Sequence, residues 1–364
     1  MKVRWFSKTT TMTVLLISFL YTAAFAGAGS WSYFEHRYSS KPEDVLKADK
    51  FVQKDRFLEG YLGGKLVGYV INSKDWSLKH VGYSGKHIET LIGMDTAGNL
   101  TGVKVLFHSE PIVLIGLKEE NFINFITQYV GKSALKGLYL GNDVKMDALT
   151  GATVTAVVEN AIILETAKKV ASAAGLIKYS DKKGKKIGKN YEAMGFSDIV
   201  ASGGVKNLVI NPKDLGLEGK EAYLDLYFAV VSVPSIGKNI LGERAFNELM
   251  SVLKEGETPI FIAARGQGSF KGSGFARGGV FERFSLEQQD RTYVFNDKDY
   301  RILTEISAKG APEIKEGGVF IIRAKDFDPT AAFKLKLILT FREGVAKKFY
   351  STAVDYELPE RFME

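Results

Sequence analysis

The spacing of hydrophobic and polar positions changes several times along this chain, and each change marks an element. Tyr38 to Asp49 is a polar lead with room for one short helix. Leu58-Glu59-Gly60-Tyr61 then runs into Gly63-Gly64, and Leu66-Val67-Gly68-Tyr69-Val70 returns, which predicts a hairpin over Gly60 to Asn72. Strands are predicted at His80 to Tyr83, Ile88 to Met94 and, after the Ala97-Gly98-Asn99 turn, Leu100 to His108. The period then lengthens to that of a helix from Asn121 to Val130, stopped by Gly131. A second helical stripe carries Val154, Val157, Val158, Ala161 and Ile162 and ends near Gly175. Farther on, strands are predicted at Tyr223 to Val233, Pro259 to Ala264, Val280 to Phe284, Arg291 to Phe295 and Val319 to Arg323, with a helix from Glu243 to Lys254. Phe333 to Phe341 and Lys348 to Tyr356 pair around Glu343-Gly344.

This order predicts an α+β protein of two units, and 364 residues suffice for two cores. The first unit spans 38–177, and the second, strand-rich and also α+β, spans 191–357. Between them, over 178–190, Lys178, Lys182, Lys183, Lys185, Lys186 and Lys189 crowd together with only Asp181 to offset them. Such a run reads as a solvated linker or a contact for anionic lipid headgroups.

Residues 1–26 follow a different logic. Lys2, Arg4 and Lys8 precede the apolar run Met12 to Ala26, and Ala24-Phe25-Ala26 has the small-x-small form of a signal peptidase site. The run is shorter than the roughly 20 residues of a membrane span, so a cleaved signal peptide is expected in preference to a retained anchor, and the mature chain is expected to be exported. The formal charge of +7 becomes +4 once those three cations leave. With zero cysteines there is no disulfide, iron–sulfur ligation or thiol nucleophile. His36, His80, His87 and His108 fall in no metal-binding spacing, and no nucleic-acid partner is expected.

Asp147-Ala148-Leu149-Thr150-Gly151-Ala152-Thr153 stands immediately before the second helical stripe. Thr153 then falls in the first turn, where free backbone N–H groups and the helix dipole favour a phosphate. Gly151 and Ala152 keep the approach open. The plainer alternative is an N-cap made by Thr150 or Thr153. The string resembles the flavinylation motif Asp-x-x-Ser/Thr-Gly-Ala-Ser/Thr of FMN-binding domains, found in sodium-pumping quinone reductases, Rnf-type complexes and NosR-type proteins of nitrous oxide respiration. The resemblance implies FMN in phosphoester linkage to Thr153, with Asp147, Leu149, Thr150, Gly151 and Ala152 as motif contacts. Glu110-Pro111 resembles the segment after the corresponding strand in these domains, so His108 and Glu110 either order the surroundings of the flavin phosphate, orient a loop, or form a surface pair. Tyr83 and Ser84, in a loop after a strand, are further candidate contacts, Tyr83 by stacking on the ring.

The glycine cluster from Arg265 to Gly279 has neither dinucleotide-loop nor Walker spacing and reads as a bend between strands or a docking surface. Pro234 to Gly242, Phe270 to Gly274 with Arg277-Gly278-Gly279, and Phe327-Asp328-Pro329 resemble the extracytoplasmic region of NosR-type proteins. That resemblance implies a periplasmic flavoprotein; because a threonine hydroxyl is a poor nucleophile and the motif offers no histidine to activate it, a separate flavin transferase using FAD and Mg²⁺ is expected to perform the attachment. The flavoprotein would relay electrons from a membrane-bound donor toward nitrous oxide reductase or another periplasmic redox protein. A redox sensor or assembly scaffold docking the reductase or its maturation factors is the alternative, and a quinone reductase or Rnf-type subunit a third. Members of that family continue into inner-membrane helices and an iron–sulfur domain. This chain ends at Glu364 without them, as a truncated form or a short relative supplied with electrons by another subunit.

Overall fold

Alternating strands with one apolar face pair into sheets, and three sheets organise this protein. The computed structural model describes residues 35–76, 80–111, 117–136, 138–145, 152–179, 185–272, 279–344 and 346–364. The first sheet contains β1 (His36–Arg37), β2 (Lys50–Gln53), β3 (Phe57–Leu62), β4 (Lys65–Asn72), β5 (Glu89–Asp95) and β6 (Leu100–His108). Its order is β1-β6-β5-β4-β3-β2, antiparallel throughout, with His36 opposite His108. The predicted hairpin turn is present: Gly63 and Gly64 both take positive φ, +55° and +78°, as a two-residue turn matched to strand twist requires.

Two helices pack on this sheet, α1 (Glu119–Thr127) and α2 (Thr153–Ala173). Phe122, Phe125 and Tyr129 meet Ile71, Ile92, Met94 and the apolar residues of α2 in one core. α2 was expected to show one buried stripe, yet 16 of its 21 residues are buried. A helix buried all round needs cover on both faces, and a second sheet supplies it.

That sheet is four-stranded, in the order β11-β10-β14-β15: β10 (Phe284–Gln288), β11 (Arg291–Tyr293), β14 (Phe333–Glu343) and β15 (Ala346–Tyr356). Period-two alternation divides its faces. Ile338 joins the core around α2, while Glu287 on the same face accepts from Lys168 of α2 at 3.4 Å and pairs with Lys336 at 2.7 Å. Leu335, Leu337 and Phe284 join the other core.

The third sheet has the order β12-β13-β9-β8-β7: β7 (Lys206–Ile210), β8 (Leu224–Val230), β9 (Thr258–Gly266), β12 (Tyr300–Ile302) and β13 (Glu316–Ile322). Phe320 meets Phe284 at 4.8 Å and Phe228 meets Tyr356 at 5.6 Å between ring centroids, which packs this sheet on the four-stranded one. Three helices accompany it: α3 (Phe196–Ala201), α4 (Pro234–Leu241) and α5 (Glu243–Val252). α3 covers the opposite face, with Phe196 against Tyr227 at 5.1 Å. The protein is therefore α+β.

Three local expectations change, and one helix was not foreseen. His80 to Tyr83 is not a strand, because the Tyr83 and Ser84 N–H groups donate to a side chain, Glu110, instead of a neighbouring strand. Val280 to Phe284 yields only a bridge from Val280 to Asn296 before β10 begins at Phe284. Pro234 starts a helix, its fixed φ suiting the first turn where no N–H is needed. β8 shows no exposed alternation, since all seven of its residues are buried in the middle of a covered sheet. The leader, residues 180–184 of the lysine-rich run and Ser273 to Gly278 lie outside the described residues. Among the described residues, no helix is long and apolar enough to cross a membrane.

Candidate functional site

One buried carboxylate organises the region around the start of α2. The chain leaves β6 at His108 and turns, placing Glu110 at 2% exposure against the turn from Gly82 to Lys86. That turn closes on itself, Gly82 N–H donating to the Lys86 carbonyl at 2.8 Å. Glu110 Oε2 accepts from Tyr83 N–H at 2.9 Å and from the Thr155 hydroxyl at 2.6 Å. Its Oε1 accepts from Ser84 N–H at 3.3 Å and Ser84 Oγ at 3.2 Å. A Cβ on residue 82 would lie 2.1 Å from Oε1, so this approach requires glycine. Glu110 thereby ties the 82–86 turn to the first turn of α2.

The network continues to the edge of the sheet. Glu110 N–H donates to His108 Nδ1 at 3.2 Å, which leaves that nitrogen unprotonated and puts the ring hydrogen on Nε2. Nε2 then donates to Glu119 Oε1 at 3.0 Å, where His36 Nδ1 also arrives at 3.3 Å. Burial, with the stacked His36 ring 4.8 Å away, pushes His108 down to about 4, so it is neutral. His36, His108 and Glu119 hold ligand atoms within 4.8 Å of one another, a metal-like spacing that the sequence did not reveal. The Nε2 hydrogen occupies the lone pair that a metal would need, so the geometry describes a hydrogen-bonded chain.

Thr153 is the first residue of α2 and is buried at 8% exposure. The N-cap position belongs to Ala152, which has no side-chain acceptor, and the first turn has no acidic residue. The N-cap alternative therefore does not hold for Thr153. A long helix whose opening N–H groups receive nothing from the cap side chain suits an anion. That arrangement fits the phosphate of FMN, and the glycine approach at 82 leaves the adjoining turn close to it in the network. Asp147, Leu149, Thr150 and Gly151 lie outside the described residues. Tyr83 is 37% exposed; His108 and Glu110, one option for which was a surface pair, are both buried.

Farther along α2, His80 Nε2 meets Glu165 Oε2 at 2.7 Å, and Thr292 N–H of β11 donates to the same oxygen at 3.1 Å. Burial alone would raise Glu165, but His80, Lys169 and the Thr292 N–H together hold it below the usual carboxylate range. A cavity of about 260 Å³ beside them is lined by His80, Val81, Val158 and residues of β11 and β13. Thr155, Gly82, His36 and Glu119 were not singled out by sequence reasoning.

Comparison with known proteins places the chain among relatives. Residues 82–163, which run from the Gly82 turn through the first half of α2, match the FMN-binding domain family. Over 309 residues the chain is 33% identical to "Regulatory protein NosR" of Pseudomonas aeruginosa, covering 78% of this chain and 43% of that protein. It is 33% identical over 329 residues to "Regulatory protein NosR" of Stutzerimonas stutzeri, covering 83% and 45%. "Protein NirI" of Paracoccus denitrificans is 26% identical over 293 residues, covering 76% and 42%. The chain thus spans less than half the length of these curated relatives. It carries an FMN-binding region of the NosR type.

Proposed function

We propose that this chain is a periplasmic electron-transfer module holding FMN in phosphoester linkage to Thr153, in support of nitrous oxide reduction. The observation that carries the reading is the position of Thr153: first residue of a 21-residue helix, behind a cap with no acceptor. The opening N–H groups of α2 would hold the phosphate, and Glu110 would fix the 82–86 turn beside it. Tyr83, half-exposed on that turn, is the candidate to lie against the ring. FMN bound there supplies one- and two-electron redox chemistry.

A threonine hydroxyl is a weak nucleophile without a base, and the His108 ring is already engaged by Glu110 N–H and Glu119. Attachment therefore falls to a separate flavin transferase. The Thr153 oxygen would take the FMN phosphoryl group from FAD, AMP would leave, and the hydroxyl proton would pass to solvent. Asp147 would act in recognition or metal contact during the transfer. Mass spectrometry of protein co-expressed with such a transferase should show the added FMN mass on the peptide containing Thr153, absent in Thr153→Ala. Unmodified peptide, or an adduct that survives the substitution, overturns the reading.

The word "Regulatory" in the printed names of two relatives favours a second reading, a redox-sensing or assembly scaffold that docks the reductase or its maturation factors. Stopped-flow mixing separates the two. Rapid reoxidation of the reduced flavoprotein by nitrous oxide reductase or a small periplasmic carrier supports transfer, whereas stable binding without electron exchange supports the scaffold.

A further inference from the structure

Among the described residues, Glu159 is a carboxylate near the start of α2 that the network above does not use. It lies six residues after Thr153, about 9 Å along the axis at the helical rise. Its side chain is fully buried, Oε1 accepts from the Thr90 hydroxyl of β5 at 2.7 Å, and Oε2 has no hydrogen-bond partner. Glu159 follows Thr155 by one helical turn, so it sits on the same stripe as the residue that binds Glu110.

The groups acting on it come from three other elements. Thr90, on β5, is neutral. The Glu110 carboxylate, on the turn after β6, repels it. Tyr129, after α1, is fully buried, kept un-ionised by burial and by Glu159 itself, and donates its hydroxyl to Asn160. No cation is among these groups. Burial, reinforced by Glu110 and opposed by the Thr90 bond, pushes Glu159 up to about 7. An ionised carboxylate with an unsatisfied oxygen in a dry interior is costly, and taking up a proton removes that cost.

We propose that Glu159 is the proton-loading group of the flavin site, taking a proton from solvent when an electron is added to the cofactor and returning it on oxidation. The inference rests on the reading of Thr153 as the FMN attachment point. In the step, one electron passes from a low-potential one-electron donor, such as dithionite, to the flavin, and one proton from solvent bonds to a Glu159 carboxylate oxygen. Added negative charge near the start of α2 acts on Glu159 through the interior, where salt screens little. Reduction therefore raises the proton affinity of Glu159 and makes electron and proton uptake concerted in charge.

Two measurements on the full chain test this, with wild type and Glu159→Gln compared in each. In protein without flavin, wild type should lose stability relative to Glu159→Gln as pH rises from 6 to 8. Parallel pH profiles overturn the proposal. In flavinylated protein, spectroelectrochemical midpoints should fall more steeply with pH in wild type than in the variant. The added slope should approach one proton per electron, about 59 mV for each tenfold change in proton concentration. Equal slopes overturn the proposal. Thr90→Val retains Glu159 but removes its donor, and should move the wild-type break to higher pH; an unmoved break also overturns it. The Thr153 peptide mass is read from the same samples. Unmodified peptide refutes the attachment reading, whereas modified peptide with equal slopes refutes only the role of Glu159.

Discussion

Replacing Glu110 by alanine tests whether one buried carboxylate holds the 82–86 turn to the start of α2. The substitution removes the acceptor of four hydrogen bonds, at 2.9, 2.6, 3.3 and 3.2 Å, from two backbone N–H groups and two hydroxyls. Hydrogen bonds to a charged group contribute about 1.5–3 kcal/mol each, but they are not additive, and the carboxylate itself was costly to bury. The hydroxyls of Ser84 and Thr155 can rotate toward other partners, whereas the Tyr83 and Ser84 N–H groups cannot. Counting the two stranded N–H groups and the broken charge-assisted bond to Thr155, the net loss is about 3–5 kcal/mol. At this chain length that corresponds to a fall in Tm of roughly 4–7 °C by calorimetry. Hydrogen exchange should show the Tyr83 and Ser84 amides losing protection first, because their acceptor is gone. Thr155→Val, combined with Glu110→Ala in a double-mutant cycle, should give a coupling of about 1–2 kcal/mol. A Tm within about 1 °C of wild type, with both amides still protected, would refute the assignment of Glu110 as the anchor.

Gly82→Ala should destabilise by about 2 kcal/mol, since its Cβ would meet Glu110 Oε1 at 2.1 Å and four bonds resist that side chain's retreat; denaturant melts measure this, and an unchanged midpoint counts against the close approach. Glu287→Ala leaves Lys168 and Lys336 without their shared carboxylate between α2 and the four-stranded sheet, at about 3–5 kcal/mol. Full stability in urea would show those lysines to be hydrated instead. Glu165 is held below the usual carboxylate range in the folded protein, so its contribution is present above the unfolded pKa and lost as pH falls through the folded one. Stability should therefore decline below about pH 4.5, and His80→Ala, which removes a main support of that depression, should flatten the acid limb. An unchanged limb refutes the pairing. Glu159 has the opposite sign. Its folded pKa of about 7 lies above the unfolded value, so it stabilises fully below the unfolded pKa and that stability is lost as pH rises through 7.

How much of this was legible follows from how local each signal is. Gly63-Gly64 determines its turn from two residues, and Leu100 to His108 became β6 with the bounds its alternation marked. The start of α2 at Thr153 was equally plain, because the apolar spacing begins there and Gly175 ends the run with φ at +75°. What the chain did not disclose locally is what its charged residues meet. Glu165, Lys168 and Lys169 mark α2 as a helix with one wet face, yet their partners are His80, Glu287 and Asp290, up to 121 residues away in the chain. Only the fold shows that the far side of α2 is covered.

The same reason explains the misread loop at His80 to Tyr83. His80 to Tyr83 has the composition of a strand, and its N–H groups do seek acceptors in line, but the acceptor is a glutamate 27 residues on. A strand and a side-chain-held loop make the same demand on the backbone and differ only in what answers it. The site inherits this property. The helix start at Thr153 is readable because the apolar spacing that begins there is a local property of the sequence. His36 and Glu119 are not readable, because each acquires its role from a neighbour brought by another element; Glu110 was legible as a candidate, but its bonds to Tyr83, Ser84 and Thr155 were not. Glu159 stands between the two cases: a lone acid inside Val157-Val158-Glu159-Asn160-Ala161-Ile162 breaks an apolar run, which is a visible oddity. Whether such an acid is solvated or stranded depends on the sheet laid over it, and here two sheets leave Oε2 without a partner.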